Sequence, residues 1–382
     1  MKKILYFISH PIQYQTPLFQ LIAKEKDFDF TVCYLTSHTI GGVDSQFGQK
    51  IEWNIPLLEG YKYVFLKNYA FKPGVSGSFW GLINWGVIRH LVKEKPDYII
   101  VHGWAYFTNY LVLLWAKVLG IPTIIRGESP LKQESYNKLK KTLLNHFIHK
   151  ALYIGKQNKE FYKYYGLKEP QLFYGPYCVD NSRFSSDYEK LKPAREEVRR
   201  SLGILESDIV ILFLGKYIAK KRPVDLVRAF KSLKEPNIRL IMVGEGEMRK
   251  ELEEYIAKHN LNTRVKLTGF VNQAEISRYY VASDIFVLPS GVGETWGLVL
   301  NEAMNFNLPI IVSDMVGSSD DLVHDGVNGF TYPCGDQNSL RDKIEILIND
   351  NNLRSKMGVQ SGRIIKDYNY SKIIDGLKKA IN

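Results

Sequence analysis

The feature of this sequence that most restricts its fold is an alternation of short apolar runs with helical patterns, which occurs in two successive series. The apolar runs of the first series are predicted strands, at residues 4–9, 30–35, 98–101, 123–126, 152–154 and 172–174. The second series begins after Lys192, with predicted strands at residues 209–214, 239–243, 265–268, 285–288 and 309–313. Helices between strands, for instance at 81–95 and 106–119, cover both faces of a parallel sheet. We therefore predict an α/β protein with two doubly wound, Rossmann-like domains.

The length of the chain agrees with two domains. A chain of 382 residues exceeds what one hydrophobic core usually supports. Pro and Gly punctuate residues 175–180, so we expect a first domain at 1–180 and a second at 181–367, with residues 368–382 forming a helix that packs back on the first domain. Ligands of doubly wound sheets bind beyond the carboxyl ends of the strands, so two such domains facing each other are expected to form one cleft.

The composition is that of a globular protein without a disulfide framework. Hydrophobic residues make up 45% of the chain and charged residues 24%. The three cysteines lie far apart, which argues against a zinc site and favours a reducing, cytoplasmic compartment. Residues 98–116 lack charged side chains, but His102, Gly103 and Asn109 interrupt them, so we predict no membrane span there. The apolar start of the chain is interpreted as a buried strand and not as a signal peptide.

A basic segment stands out in the first half. Residues 132–168 contain nine Lys against two Glu. Apolar residues recur at helical spacing within it; they are Leu139, Leu143, Leu144, Phe147 and Ile148. This pattern predicts a basic amphipathic helix on an anionic membrane surface, and hence a peripheral location on the inner face of the cytoplasmic membrane. The alternative is a helix packed on the core with a solvated basic face.

Two short motifs are weaker signals. Gly244 and Gly246 follow a predicted strand, as in a dinucleotide fingerprint, but Arg249 takes the place of the third glycine. We therefore predict a tight turn over a nucleotide and not an NAD site. Asp27 and Asp29 form an Asp-x-Asp pair before a strand, at the wrong edge of the sheet for a ligand, so we interpret them as a surface turn. No other spacing is typical of metal ligands, so neither metal nor cofactor is expected.

The most informative segment follows the predicted strand at 285–288. A loop with Gly293 and Glu294 leads to a helix that starts near Gly297, and such a start suits a phosphate group. Glu302 lies eight residues after Glu294, which on a helix corresponds to roughly 10 Å along the axis. The two carboxylates of a retaining glycoside hydrolase lie about 5 Å apart, so a hydrolase pair is not favoured. Two carboxylates at this spacing suit the two ends of a long ligand, or are ordinary surface charges.

Cations follow the predicted strand at 209–214. Gly215 and Lys216 come first, and Lys220, Lys221 and Arg222 follow them. Cations at this sheet edge are able to neutralise a diphosphate leaving group; the alternative is a solvated basic loop. In the first domain, His102 closes a strand at the corresponding edge, as either a catalytic or a structural histidine.

Together these residues resemble glycosyltransferase family 4, a family of retaining enzymes with the GT-B fold. Glu294 and Glu302 match its Glu-x7-Glu signature, and Lys216 and Lys221 match its Arg-x4-Lys clamp, with Lys216 in place of the Arg. Residues 269–271 match its base-facing turn, and residues 325–330 its glycine-rich element near the end. The resemblance covers the second domain almost throughout.

The first domain resembles the family at fewer positions. His102 aligns with the histidine of the catalytic site. Residues 9–17 replace the usual Gly-Gly loop, as in a subgroup of bacterial surface-polysaccharide enzymes. His10, Gln13 and Arg126 are expected on the acceptor side.

The resemblance implies an α-linked nucleotide sugar as donor, a glycan or lipid-linked acceptor, retention of configuration and no metal. The implied catalytic residues are Glu294, His102, Lys216 and Lys221. The implied donor-binding residues are Gly215, Gly244, Gly269, Phe270, Val271, Gly293, Thr295, Trp296, Gly297, Leu298, Val299 and Glu302. In this assignment Glu294 contacts the transferred sugar and Glu302 the ribose.

Other functions remain open at this point. A nucleotide-sugar 2-epimerase shares the architecture and needs no second substrate. A basic anion-binding protein without activity would rest on residues 132–168 alone, and a nicotinamide oxidoreductase lacks a complete fingerprint. No nucleic acid partner is expected.

Overall fold

The computed structural model describes residues 1–37, 43–44, 49–50, 56–75, 78–135 and 137–382. The chain divides into two compact units. The N-terminal unit comprises Met1–Val43, Lys50–Tyr177 and Tyr370–Asn382, and the C-terminal unit comprises Asp44–Gln49 and Cys178–Asn369. Outside the two main sheets, the chain forms two short strands, Val43–Asp44 and Gln49–Lys50.

The N-terminal unit is built on a parallel sheet of seven strands. In chain order they are β1 (Lys2–Ile8), β2 (Phe28–Tyr34), β3 (Lys62–Phe65), β4 (Tyr98–His102), β5 (Thr123–Arg126), β6 (Lys150–Tyr153) and β7 (Leu172–Tyr174). Their order across the sheet is β3-β2-β1-β4-β5-β6-β7. The chain therefore builds outward in opposite directions from β1 and β4, and the point where the order reverses lies between these two strands.

Helices cover this sheet. They are α1 (Thr16–Ala23), α2 (Val87–Glu94), α3 (Phe107–Val118), α4 (Lys138–Phe147) and α5 (Lys156–Tyr164). The last helix of the chain, Tyr370–Ile381, also packs here, and the Tyr98 hydroxyl donates to the Ile381 carbonyl at 2.7 Å. A β-carbon at Gly376 would lie 2.0 Å from the Tyr174 carbonyl oxygen, so this helix approaches β7 closely because that residue is glycine.

The C-terminal unit has a parallel sheet of six strands. They are β8 (Ile209–Leu214), β9 (Ile238–Val243), β10 (Val265–Leu267), β11 (Ile285–Leu288), β12 (Ile310–Ser313) and β13 (Gly329–Tyr332), in the order β10-β9-β8-β11-β12-β13. Its helices are α6 (Asn181–Leu191), α7 (Arg195–Ser201), α8 (Pro223–Lys231), α9 (Arg249–Lys258), α10 (Ile276–Ala282), α11 (Leu298–Asn305), α12 (Ser319–Leu322), α13 (Gln337–Asn349) and α14 (Asn351–Ile364). The last helix of the chain, which belongs to the N-terminal unit, is α15 (Tyr370–Ile381). Here the order reverses between β8 and β11.

The predicted pair of doubly wound parallel sheets is confirmed, with differences at particular elements. Strands β3 and β13 were not predicted. The helix predicted to begin at residue 81 begins at Val87. The preceding residues are held as a loop because the Asn84 side-chain amide donates to the carbonyls of Leu35 and Leu66 at 2.9 and 3.0 Å.

The helix predicted at the apolar positions of the basic segment is present as α4, and residues 132–168 also contain β6 and α5. Leu144 and Ile148 are buried in the hydrophobic core of the N-terminal unit. The side chains of Leu139 and Leu143 lie outside the described part of the chain. Within that part, no helix has the length and apolar character needed to cross a membrane.

The interpretation of the Asp-x-Asp pair as a surface turn holds only for Asp27, which is exposed in a turn. Asp29 lies inside β2, and its carboxylate accepts a hydrogen bond from the Lys62 ammonium at 2.7 Å. The two aspartates therefore lie at the start of β2, and Asp29 already forms an ion pair with Lys62.

Candidate active site

The residues predicted to bind the donor collect where the strand order of the C-terminal sheet reverses. Strands β8 and β11 are neighbours in the sheet, and their carboxyl ends lead to Gly215 and to the loop that contains Glu294. From this point the chain builds β9 and β10 on one side, and β12 and β13 on the other. In open α/β sheets such a reversal leaves a crevice in which ligands bind.

The two loops at this point are joined through their backbones. The Gly291 amide donates to the Lys220 carbonyl at 2.7 Å. The Lys220 ammonium in turn reaches the Gly293 carbonyl at 3.4 Å. Loop residues that are fixed in this way hold their side chains in place before a ligand arrives, which lowers the entropy cost of binding.

Lys221 and Glu294 form an ion pair across the two loops; the Lys221 side chain is 13% exposed and the Glu294 side chain 9% exposed. Burial raises the pKa of the Glu294 carboxyl, but the charges of Lys221 and Lys220 and the hydrogen bond from Lys221 outweigh it, so the pKa is lowered. Glu294 is therefore a carboxylate. Lys216 lies half-buried directly after β8, at the same edge.

Helix α11 begins at this edge with backbone donors. Its N-cap residue is Gly297, with a φ of 89°, a conformation that glycine adopts without strain. A β-carbon there would also lie 2.9 Å from the Leu288 side chain. Glycine has no side chain to cap the helix, so the first amides, at Leu298 and Val299, present the positive end of the helix dipole.

The loop between Glu294 and Gly297 is supported from β12. The Gly317 amide donates to the Glu294 carbonyl at 3.0 Å, and the Ser318 hydroxyl donates to the Trp296 carbonyl at 2.5 Å. A β-carbon at Gly317 would lie 1.8 Å from the Thr295 carbonyl oxygen, so this approach requires glycine. The sequence analysis did not single out Gly317 or Ser318.

Two predicted donor-binding side chains lie in the interior. The Trp296 side chain is buried, and its indole N–H donates to Asn301 Oδ1 at 2.9 Å. Glu302 is 0% exposed, and its carboxylate accepts from the Tyr280 hydroxyl at 2.7 Å. Both side chains are thus buried in this structure, and their contact with the donor stays a prediction.

Glycines explain the fingerprint-like turn after β9. The Gly244 amide donates to the Gly269 carbonyl at 3.0 Å. A β-carbon at Gly244 would lie 1.9 Å from the Gly215 carbonyl oxygen, and one at Gly246 would lie 2.5 Å from the Tyr217 carbonyl oxygen. The glycines are thus required for packing between loops. This arrangement places Gly269 beside Gly244, with Phe270 and Val271 half-buried after it.

In the N-terminal unit, His102 closes β4 where the strand order reverses beside β1. The Tyr6 hydroxyl lies 2.7 Å from His102 Nδ1, and Glu128 Oε1 lies 3.4 Å from Nε2. With the ring proton on Nε2, His102 donates to Glu128 and accepts from Tyr6. Both ring nitrogens of His102 are therefore engaged in this structure.

Glu128 is a candidate site residue that sequence reasoning missed. It follows β5 by two residues, and β5 is the neighbour of β4 in the sheet. Burial raises the pKa of its carboxyl, but hydrogen bonds from His102 and Tyr177 and the charge of Arg126 outweigh burial and lower it. The available signal was a carboxylate just beyond a predicted strand, at the same edge as His102.

Arg126 and the loop after β1 complete this site. Arg126 is 1% exposed and donates to Gln15 Oε1 at 3.2 Å, and its contact with an acceptor stays a prediction. The Ser9 hydroxyl lies 2.9 Å from His10 Nδ1. His10 and Gln13 are partly exposed in the loop that follows β1.

Among the residues that the structure describes, no three side chains of His, Cys, Asp or Glu are grouped so that they would hold a metal ion.

Comparisons with known proteins agree with the fold. The family described as Glycosyl transferases group 1 matches residues 194–379. An uncharacterised glycosyltransferase of Methanocaldococcus jannaschii is 30% identical over 371 residues, which cover 94% of this chain and 91% of the relative. The UDP-Gal:alpha-D-GlcNAc-diphosphoundecaprenol alpha-1,3-galactosyltransferase of Escherichia coli is 27% identical over 304 residues, covering 75% of this chain and 76% of that enzyme.

The fold also matches solved structures. HepE of Anabaena, crystallised with UDP, superposes with a TM-score of 0.77 and 19% identity, covering 100% of this chain and 99% of HepE. Two doubly wound sheets of seven and six parallel strands are thus a GT-B fold. The chain belongs to the group 1 glycosyltransferases and is a glycosyltransferase.

Proposed function

We propose that this glycosyltransferase moves a sugar from an α-linked nucleoside diphosphate sugar to a glycan or lipid-linked acceptor, with retention of configuration and without a metal ion. The observation that carries the proposal is the ion pair of Lys221 and Glu294 at the sheet edge where α11 begins. A cation, a carboxylate and backbone donors meet there.

The diphosphate is assigned to the cations and the helix start. Lys216 and Lys221 both follow β8, and the amides of Leu298 and Val299 open α11 at the adjacent strand end. Positive groups fixed at this edge stabilise the charge that develops as the diphosphate leaves. They supply the role that Mg²⁺ has in many phosphoryl-group sites, which is why we propose that no metal is required.

Glu294 is assigned to the transferred sugar. Its carboxylate is ionised, and in the ligand-free protein it is paired with Lys221. A diphosphate that binds Lys221 releases the carboxylate to accept hydrogen bonds from sugar hydroxyls. Glu302 is assigned a supporting role, because its carboxylate is buried on the Tyr280 hydroxyl.

His102 and Glu128 are assigned to the reacting sugars. In a retaining transfer without a side-chain base, the acceptor attacks on the side of the departing diphosphate, and a phosphate oxygen takes its proton. His102, oriented by Tyr6 and Glu128, then needs only to bind hydroxyl groups. We assign His10 and Gln13, in the loop after β1, to the acceptor.

The relatives support the substrate classes. The name of the E. coli relative contains a UDP-linked sugar and a diphosphoundecaprenol acceptor, and HepE has been crystallised with UDP-glucose. A lipid-linked acceptor of a bacterial surface polysaccharide would place this chain in the cytoplasm, at the inner face of the membrane. The exposed lysines of α4, within residues 132–168, are the proposed contacts with anionic lipid.

The experiment that tests this proposal is a donor screen followed by product analysis. Nucleotide sugars are ranked by thermal shift, because a ligand at a hundred times its Kd adds about 2.7 kcal/mol to the stability. The best donor is then incubated with lipid-linked acceptors, and a longer glycan is the expected product. Release of an altered nucleotide sugar without an acceptor would instead identify a 2-epimerase.

A further inference from the structure

An exposed apolar surface lies on the N-terminal unit, away from the residues discussed so far. Trp80 and Trp85 are 59% and 56% exposed, although they are only five positions apart. On α3, Leu114 and Val118 are 45% and 64% exposed. Large apolar side chains that are grouped at a surface, and not scattered, indicate an interaction site.

These side chains form one continuous surface. The Trp80 ring stacks on Phe107 with centroids 5.1 Å apart, and the Trp85 ring meets the same Phe107 at 5.5 Å. Phe79 meets Tyr110 at 5.4 Å. We call the group the aromatic face; it consists of Phe79, Trp80, Trp85, Phe107, Tyr110 and Leu114.

The aromatic face extends along α3. Phe107 is the first residue of the helix, and Tyr110, Leu114 and Val118 follow at helical spacing on one side. From Phe107 to Val118 the helix rises about 16 Å. A site that stacks one sugar ring on an aromatic side chain does not need an aliphatic stripe of this length. Such a stripe does suit the acyl region of a bilayer.

The charged side chains around the face are mostly positive. Between residues 60 and 127 the only acidic residues are Glu94 and Asp97. Glu94 pairs with the Lys3 ammonium at 2.7 Å, and Asp97 accepts from the Lys3 amide at 2.7 Å. Arg89 and Lys93 are exposed on α2, which packs against α3, and Lys117 is exposed on α3 itself.

We infer that the aromatic face binds the interface of an anionic lipid bilayer. Tryptophan and tyrosine favour the level of the lipid headgroups, and each cation near an anionic surface adds attraction. Leu114 and Val118 would enter the boundary with the acyl chains. The aromatic face contains no carboxylate that an anionic lipid would repel.

This inference assigns insertion to a different element from the one that the sequence pattern favours. On helix α4, Leu144 is buried in the protein core, so the described apolar side of this helix is not available to lipid. Its lysines add charge, while the aromatic face supplies the apolar contact. The inference is independent of the proposed sugar transfer, because lipid binding needs neither donor nor acceptor.

Flotation with vesicles tests this inference on the full-length protein. Vesicles of phosphatidylcholine are compared with vesicles that also contain phosphatidylglycerol. The variants are Trp80→Ser with Trp85→Ser, and Leu114→Ser with Val118→Ser; all four side chains are exposed, so the fold is expected to be kept. Leu205→Ser is the matched control, since Leu205 is 62% exposed on the C-terminal unit.

We expect the wild type and the control to float with anionic vesicles only, and each double variant to bind at least about tenfold more weakly. Phosphatidylglycerol with brominated acyl chains should quench tryptophan fluorescence in the wild type and much less in Trp80→Ser with Trp85→Ser. Unchanged flotation of both double variants would overturn the inference, as would a wild type that does not float. A dimer that the same substitutions dissociate, without any lipid binding, would instead assign the face to a second copy.

Discussion

The ammonium group of Lys221 and the carboxylate of Glu294 form a buried ion pair that joins the ends of β8 and β11. These strands are 71 positions apart from the end of the first to the start of the second, yet they are neighbours in the sheet. The pair therefore joins the two halves of the C-terminal sheet at the proposed diphosphate site, and it serves both stability and function.

Removing one member of this pair should destabilise the ligand-free protein. Lys221→Ala leaves the Glu294 carboxylate buried without its cation, and such a loss costs about 3–5 kcal/mol. Adding Glu294→Gln to Lys221→Ala removes the buried charge and should recover part of that loss. Chemical denaturation of the four proteins of the double-mutant cycle measures this coupling.

The exposed Lys234, in the same unit, provides the control for that cycle. Lys234→Ala should change the free energy of unfolding by no more than about 0.5 kcal/mol. If Lys221→Ala behaved in the same way, the ion pair would have no structural importance.

Lys216 should affect turnover and not stability. Loss of a comparable electrostatic donor in a transition state lowers the rate by about 10²–10³-fold. Lys216→Ala is therefore expected to lower kcat in this range, and Lys216→Arg to retain most activity because the charge is kept. Lys234→Ala, a change of another exposed lysine in the same unit, is the control. Equal kcat values for Lys216→Ala and this control would remove Lys216 from the site.

Glu128 should make the stability of the protein depend on acid pH. Its pKa is lower in the folded protein than in the unfolded chain, so its contribution is present above the unfolded pKa, near 4.3. That contribution is lost as the pH falls through the lower, folded value. Glu128→Gln should therefore lose less stability than the wild type between about pH 5 and pH 3. Parallel Tm curves for the two proteins over this range would contradict the assignment.

Variants of Glu302 and Tyr280 distinguish a supporting role of the Glu302 carboxylate from direct binding of the ribose. Tyr280→Phe removes the hydroxyl that donates to a buried carboxylate, which should cost about 1–3 kcal/mol of stability. Glu302→Gln should likewise lower the stability before it raises the donor KM. A large rise in the donor KM of Glu302→Gln at unchanged Tm would return the ribose contact to Glu302.

The sequence was sufficient to predict the alternating strands and helices of the two domains. Buried strands such as β8 and β11 are uninterrupted apolar runs, which is why their positions agree closely with the prediction. Strand β3 was missed because it is a short edge strand with exposed and half-buried residues, and only three of its four residues are apolar. The late start of α2 depends on the Asn84 hydrogen bonds to carbonyls distant in the sequence, which no local pattern contains.

Some residues of the candidate site could likewise be predicted from the sequence, and others could not. Lys221 and Glu294 could be predicted because each lies in the loop after a recognisable strand, and adjacent parallel strands bring such loops together. The burial of Trp296 and Glu302 could not, since it depends on the hydrogen bonds of their side chains with Asn301 and Tyr280, which the pattern of strands and helices does not contain. Glu128 was missed because its partner His102 comes from another strand.

The central claim is that Glu294 serves a retaining transfer that needs no metal ion, and NMR of the product tests it most directly. The reaction is run in excess chelator with an α-linked donor, using the wild type and Glu294→Gln, and the anomeric coupling constant of the new linkage is measured. We predict an α-linked product from the wild type in the presence of chelator, and little product from Glu294→Gln. A β-linked product, or activity that chelator abolishes and Mg²⁺ or Mn²⁺ restores, would contradict this account.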